Sequence, residues 1–302
     1  MNENNKRDDG AESAGKKYEH VLISVSNPQT ADQLVRLGCN LTDKSSVLRI
    51  MSVTKDAPFP ERAASWRKSS QLVMDMTHLA NRLGRVAKPV ATTATSIPDA
   101  IVNAEDDINA DLMIMGWFGH VTPLAVKKSR VVNKVLHKTQ CDTVVLKSRQ
   151  DLADVERIIV PIGGEANEDR LELVQTYLWG WPIDVVAVHV LTPDSERGEE
   201  EIEELLADPV NDLGPSAEAR IVRADSMVGG ILDIAEPNDL IVVGPGREWV
   251  FNSFLFGRHA DEITNRAPCS VLMYKSKEQK MMAWFKGLGK RIGELFTGGS
   301  DN

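Results

Sequence analysis

"ADLMIMGWFGHVTPLAVKKSRVVNKVLHKTQCDTVVLKS", residues 110–148, reads as strand, loop, helix, strand. The runs at 110–115 and 142–148 are short and apolar, the pattern of strands buried on both faces. The segment 131–137 between them has helical character. Two such strands joined through a helix form a βαβ unit, whose strands are parallel and whose crossover is right-handed. Lys127, Lys128 and Arg130 then fall at the expected start of the helix. A helix N-terminus carries partial positive charge and prefers acids, so basic residues there are slightly unfavourable. Either they are simply solvated, or an anion belongs beside them.

Outward from this unit, strand and helix alternate from residue 19 onward. Strands are expected at 20–26, 45–54, 86–94, 110–115 and 142–148. Helices are expected at 28–41, 61–83 and 98–107, with Pro28 suited to a first helical turn. The strand at 86–94 belongs at an edge, because Pro89 has no N–H to give a ladder. The same order then returns. Strands are expected at 157–163, 183–192, 217–224, 239–244 and 269–275. Helices are expected at 167–180, 195–208 and 227–236, with a last one ending near Arg266. Gly116 aligns with Gly244 and Cys141 with Cys269, both at an offset of 128, while Ser26 aligns with Gly163 at 137. The difference places a shorter second helix in the second copy. The chain therefore divides into a polar, disordered tail at 1–17, a first domain at 18–150, a second at 151–276 and a C-terminal segment at 277–302. Each copy is an α/β, doubly wound, mostly parallel five-stranded sheet with helices on both faces. Ligands of such sheets sit beyond the carboxyl ends of the strands, where the loops opening at Gly116 and Gly244 lie. The two copies are expected to pair through their last strands, whose edges would otherwise stay open.

Charge is divided unevenly. Residues 1–150 hold 21 Lys and Arg against 16 Asp and Glu; residues 151–302 hold 14 against 28. The overall −9 gives no reason to expect nucleic-acid binding. Cys39, Cys141 and Cys269 form no C-x-x-C and are odd in number, which argues against a disulfide framework and for a reducing, cytoplasmic setting. The first 17 residues lack the apolar core of a signal peptide. No stretch reaches the roughly 18 apolar residues of a spanning helix.

The order of elements and the two loops resemble the universal stress protein family in its tandem form, over residues 19–275. That fold is Rossmann-like, of the adenine nucleotide α-hydrolase type. Its signature, G-x-x-G-x9-G-[ST] after the fourth strand, implies a phosphate cradle for ATP. Glycines let backbone N–H groups approach the phosphates, and a helix start faces the anion. The first copy keeps Gly116 and Gly119 but has Ser129 and Arg130 at the last two positions. The second keeps Gly244 and Gly257 but has Arg247 and Arg258 at the other two. The acid that the resemblance implies after the first strand is Ser26 in one copy and Gly163 in the other. Neither loop is a standard ATP site. The resemblance therefore implies a degenerate adenine nucleotide or anion site in the first copy, formed by Ser26, Gly116, Gly119, Lys127, Lys128, Ser129 and Arg130. The second site, Gly244, Arg247, Gly257 and Arg258, is expected to be non-functional. "SNP" at 26–28 and "GW" at 116–117 resemble versions linked to permeases and antiporters.

Other features carry less. "GPGREWVFNSFLFGR" (244–258) is aromatic, as a loop folded on its own domain or a partner contact would be. "GGEANEDR" (163–170) reads as a capped helix start, with Asn167 the cap and acids in the first turn. The acidic run 194–208 reads as a solvated helix. No nucleophile elbow, zinc-protease helix or Walker loop occurs, so a non-enzyme is expected, weak ATP hydrolysis aside. The segment 277–299 places Met281, Trp284, Phe285, Leu288, Ile292, Leu295 and Phe296 on one helical face with a basic complement, as membrane-surface helices do. It would contact a membrane, a membrane-protein partner, another subunit or its own domains. The expected function is stress-related regulation through the first-copy site. The alternative is a nucleotide-independent interaction module that regulates a membrane transporter or another partner. Self-association through domain pairing, or a homodimer, is expected under either.

Overall fold

The computed structural model describes residues 18–117, 123–163, 168–178, 183–245 and 257–277, with the backbone alone at 123–130, 168 and 169. The expected N-terminal tail, Gly119, Asn167, Arg247, the aromatic loop, the side chains of Lys127, Lys128, Ser129 and Arg130, and the C-terminal segment beyond Lys277 lie outside what is described.

The first copy runs β1 (Tyr18–Ser24), α1 (Pro28–Asn40), β2 (Thr42–Lys55), α2 (Glu61–Arg82), β3 (Val86–Ala94), α3 (Ile97–Ile108), β4 (Leu112–Gly116), α4 (Pro123–Lys138) and β5 (Asp142–Lys147). A 3-10 turn, Leu152–Asp154, leads to the second. It runs β6 (Arg157–Pro161), α5 (Glu168–Leu178), β7 (Asp184–Leu191), α6 (Glu199–Leu213), β8 (Ala217–Arg223), α7 (Met227–Ile234), β9 (Asp239–Val243), α8 (Arg258–Arg266) and β10 (Ser270–Lys275). Each copy has strand order 3-2-1-4-5, and the two join into one ten-stranded sheet, β3-β2-β1-β4-β5-β10-β9-β6-β7-β8. All pairings are parallel except β5 with β10, which is antiparallel.

Strand side chains alternate between two cores, as the two-residue period requires. Val21 and Ile23 face one, with α1, α2, α5 and α6; Leu22 faces the other, with α3, α4, α7 and α8. Each core draws residues from both copies. β3, with Pro89, is an edge strand as expected, and the last strands pair as expected.

The junction has pseudo-two-fold symmetry. Val145 pairs with Met273 at its centre, the same position of the two copies. To either side, Lys147 Nζ donates to Thr264 O at 2.5 Å and Lys275 Nζ to Leu136 O at 3.2 Å. These are the same bond made twice, each lysine meeting carbonyls at the C-terminal end of the other copy's last helix. Cations are favoured there by the orphan carbonyls and the helix dipole. Likewise Arg149 N donates to Ser270 Oγ at 2.9 Å and Lys277 N to Asp142 Oδ1 at 2.8 Å. Asp142 also accepts from the Tyr18 and Tyr274 hydroxyls, at 3.0 and 2.9 Å.

Two expectations need correction. α4 does not begin near 131 but at Pro123. The second copy does begin its last helix at Arg258, because Gly257 before it has φ +105°, where the helix cannot continue. Ser129 stands at that position in the first copy, so nothing there stops the helix from running further toward its N-terminus. The acidic helix is also displaced. It spans Glu199–Leu213 rather than 195–208, running through Pro209, because Ile202, Leu206 and Leu213 are all buried on its inner face. That burial offsets the missing backbone donor of the proline.

Candidate functional site

The order of strands reverses between β1 and β4, and a cavity of about 150 Å3 opens at their carboxyl ends. Its walls come from three layers. β1 and the turn after it give Ser24, Val25, Ser26 and Asn27; β4 gives Met115 and Gly116; β2 gives Val53. α1 adds Thr30 and Leu34 from one face of the sheet, and α3 and α4 add Ile97, Ile101, Val131 and Val132 from the other. Asn27 caps α1, its side chain accepting from Gln29 N at 3.2 Å, with Pro28 in the first turn. A Cβ on Gly116 would stand 3.4 Å from Leu34 Cδ1 and 4.0 Å from Thr30 Oγ1, so glycine keeps this wall open.

Ser26 and Gly116, distant in sequence, thus meet at one cavity. Among the described residues, no charged side chain lines it. Its volume as bounded by the described residues, about 150 Å3, is under the roughly 300–1,000 Å3 of small-molecule sites. Lys127, Lys128, Ser129 and Arg130 do not sit at a helix start: with α4 beginning at Pro123, they lie beyond its first turn. The dipole effect fades within that turn, so the opening mismatch between basic residues and a helix N-terminus does not arise in the first copy. It does arise in the second, where Arg258 is the first residue of α8 and exposed.

The second copy fills the equivalent place with its own side chains. The Arg170 Cδ lies 2.9 Å from where a Cβ of Gly244 would be, and its Nη1 donates to Pro161 O at 3.1 Å. His189 Nδ1 lies 2.7 Å from Ile162 O. Both bind carbonyls at the carboxyl end of β6. Gly163 is exposed beside them.

Trp117, the residue after Gly116, is buried, and the Lys147 ammonium lies 5.7 Å from its ring. Burial pushes Lys147 down to about 8, with Arg149 adding to the effect. The cavity mouth is thereby linked to the junction between copies. Arg170, Lys147 and Lys275 were not singled out in the sequence. The lysines had a signal, the repeat of Lys147 and Lys275 at the end of two aligned apolar strands. Arg170 had none, since its place over Gly244 is set by α5 packing. Among the described residues no group of three or more His, Cys, Asp and Glu is placed to hold a metal ion, and no helix is long and apolar enough to cross a membrane.

Comparison with known proteins places this arrangement. A Na(+)/H(+) antiporter, NhaS5 of Synechocystis sp. (strain ATCC 27184 / PCC 6803 / Kazusa), is 28% identical over 160 residues, 51% of this chain and 23% of the antiporter. The chain thus matches less than a quarter of that relative's length. The fold matches a universal stress protein from Archaeoglobus fulgidus DSM 4304 with a TM-score of 0.61 at 16% identity, covering 85% of this chain and 96% of that one. It also matches the cytoplasmic domain of a prokaryotic cation chloride cotransporter, with a TM-score of 0.57 at 9% identity, covering 86% and 96%. The model of the Universal stress protein family matches twice, over residues 17–147 and 155–275. Those two matches cover both halves of the ten-stranded sheet, and the chain belongs to the universal stress protein family.

Proposed function

We propose that this protein is a non-catalytic regulatory module of membrane transport that works without a bound nucleotide. The observation that carries this is the course of α4. A phosphate cradle needs loop backbone with free N–H groups where Lys127–Arg130 stand, and that stretch is helix, its N–H groups committed to the helix itself. Ser26 and Gly163 supply no acid, and Arg170 covers Gly244. The antiporter relative and the cotransporter domain support a transport partner. The segment 277–299, amphipathic and basic, would supply a peripheral contact with a membrane or a membrane protein.

A second reading is favoured by the cavity: a small ligand, or one end of an adenine nucleotide, held by the first copy only. The two separate in one titration. ATP, AMP and cyclic AMP up to millimolar concentration should give no saturable heat with the purified protein. Saturable binding that is lost in Gly116→Val and kept in Arg170→Gln would replace the first reading by the second. Loss in the Lys127, Lys128 and Arg130 to Gln triple variant would add those residues to the site. For the transport arm, sodium-driven proton flux in membrane vesicles from host cells should differ with and without this chain; equal flux sinks it.

A further inference from the structure

All five large hydrophobic side chains exposed among the described residues lie between residues 59 and 86. Phe59 is 77% exposed, Trp66 39% and Met74 43%; Leu83 and Val86 complete the set. They belong to α2, its flanking turns and the start of β3, one end of the ten-stranded sheet. α2 is 22 residues long, about 33 Å at 1.5 Å per residue, against 15 for its second-copy counterpart α6. The last residue of β2's buried run, Thr54, meets α2 at Ser69, their hydroxyls 3.1 Å apart. Residues 61–68 therefore overhang the sheet. Trp66 lies seven residues before Val73, on the stripe that faces the core further along, but here no strand covers it. Arg62, one turn earlier on the same side of the helix, is paired to Asp56 at 3.2 Å, while Arg67 and Lys68, both exposed, and the exposed Glu61 point to the other sides of the overhang.

We infer that this end of the molecule, built on Phe59, Trp66, Arg67 and Lys68, is a docking surface for an anionic lipid bilayer. Exposed aromatics beside basic residues match the headgroup region, where aromatic rings sit shallowly and cations meet lipid phosphates. Charge decides the orientation. The far end of the sheet carries α6 with Glu199, Glu200 and Glu201 in its first turn, and an anionic surface repels it. A second copy of this chain is the weaker occupant. Its acidic end matches the basic charge, but no large hydrophobic is exposed there among the described residues to match Phe59 and Trp66. The inference rests on α2 and not on the segment 277–299.

The test places an environment-sensitive fluorophore on Ser65→Cys and, separately, on Glu218→Cys in β8, both in the full chain. The native thiols are buried, so labelling goes to the new cysteine. With phosphatidylglycerol vesicles, the probe at 65 should brighten several-fold and shift to the blue, and the probe at 218 should not. Phe59→Ser with Trp66→Ser should abolish the change while leaving the circular dichroism of the protein intact. Phosphatidylcholine vesicles should give at most a tenth of the response. The inference is overturned if the protein pellets with vesicles while position 65 stays in water, which assigns the contact to 277–299 instead. It is equally overturned if nothing pellets, or if the probe at 65 responds to protein concentration without lipid, which names a second copy as the occupant.

Discussion

Single residues show how burial removes chemistry as well as supplying stability. Cys39, Cys141 and Cys269 are all buried and free. Burial pushes Cys39 and Cys269 up to about 11 and Cys141 to about 12, the last helped by the neighbouring Glu105 carboxylate. Only thiolate reacts with disulfide reagents. At pH 8 the native protein should therefore release almost no chromophore from an aromatic disulfide reagent, and the unfolded protein should release three equivalents. Fast reaction of any one thiol in the native state would contradict the packing around it. Glu105 shows the same economy of position. Its Oε1 accepts from Gln140 N and Cys141 N at 2.6 and 2.9 Å, holding the turn into β5. Acidity placed there serves the backbone, although one acid of the run Glu105-Asp106-Asp107 gives no such hint in sequence.

Elements were legible where their own residues set them. Pro28 stands in the first turn of α1, and β3 with Pro89 stays at an edge. They were misread where a distant partner decides. The acidic helix, expected to end at 208, runs on through Pro209, whose ring and missing N–H oppose helix. Yet Leu213, beyond the proline, is buried, and the helix continues to reach it. Pro209→Ala should accordingly stabilise the protein by about 2 kcal/mol, the roughly 3 kcal/mol helix penalty less the entropy a proline removes from the unfolded chain. Chemical denaturation at matched pH measures it; a loss of stability would mean that the proline ring is itself needed in the packing. The opposite error occurred at α4, where basic residues were read as a helix start. Ser129 permits helix where Gly257 of the second copy forbids it, and a one-residue difference moved the start by several residues.

At the scale of the whole molecule, two repeats behave as one folding unit. Both cores contain residues of both copies, and one sheet crosses the junction without a gap. Calorimetry should thus show one transition, with equal calorimetric and van't Hoff enthalpies. Val145→Asp, which puts an unpaired carboxylate at the pseudo-two-fold centre beside Met273, should cost at least about 3 kcal/mol. It should lower the stability of both copies together. Two separated transitions in the parent would show that the copies fold independently. The uneven charge also acquires meaning at this scale. The basic half and the acidic half lie at opposite ends of a sheet ten strands wide, which makes the molecule polar along its length.

The sequence by itself determined the repeat, the alternation of strand and helix, the doubly wound order of each copy and the strands that join them. Those follow from local periodicity and the handedness of crossovers, which act within one unit of the chain, and from the need to cover an apolar edge, which joins strands 128 residues apart but is visible in each strand's own composition. The pairing of Lys147 and Lys275 with the helix ends of the opposite copy left one trace in the sequence, a lysine repeated at the ends of two aligned apolar strands. Tertiary structure alone decided the sites. Whether Gly116 opens on a cavity or Gly244 lies under Arg170 depends on which side chain a neighbouring helix carries into the space. Whether basic residues face an anion depends on where a helix begins, which Gly257 sets in one copy and Ser129 leaves unset in the other. Such outcomes are differences between competing packings that share the same local pattern, and local pattern cannot rank them.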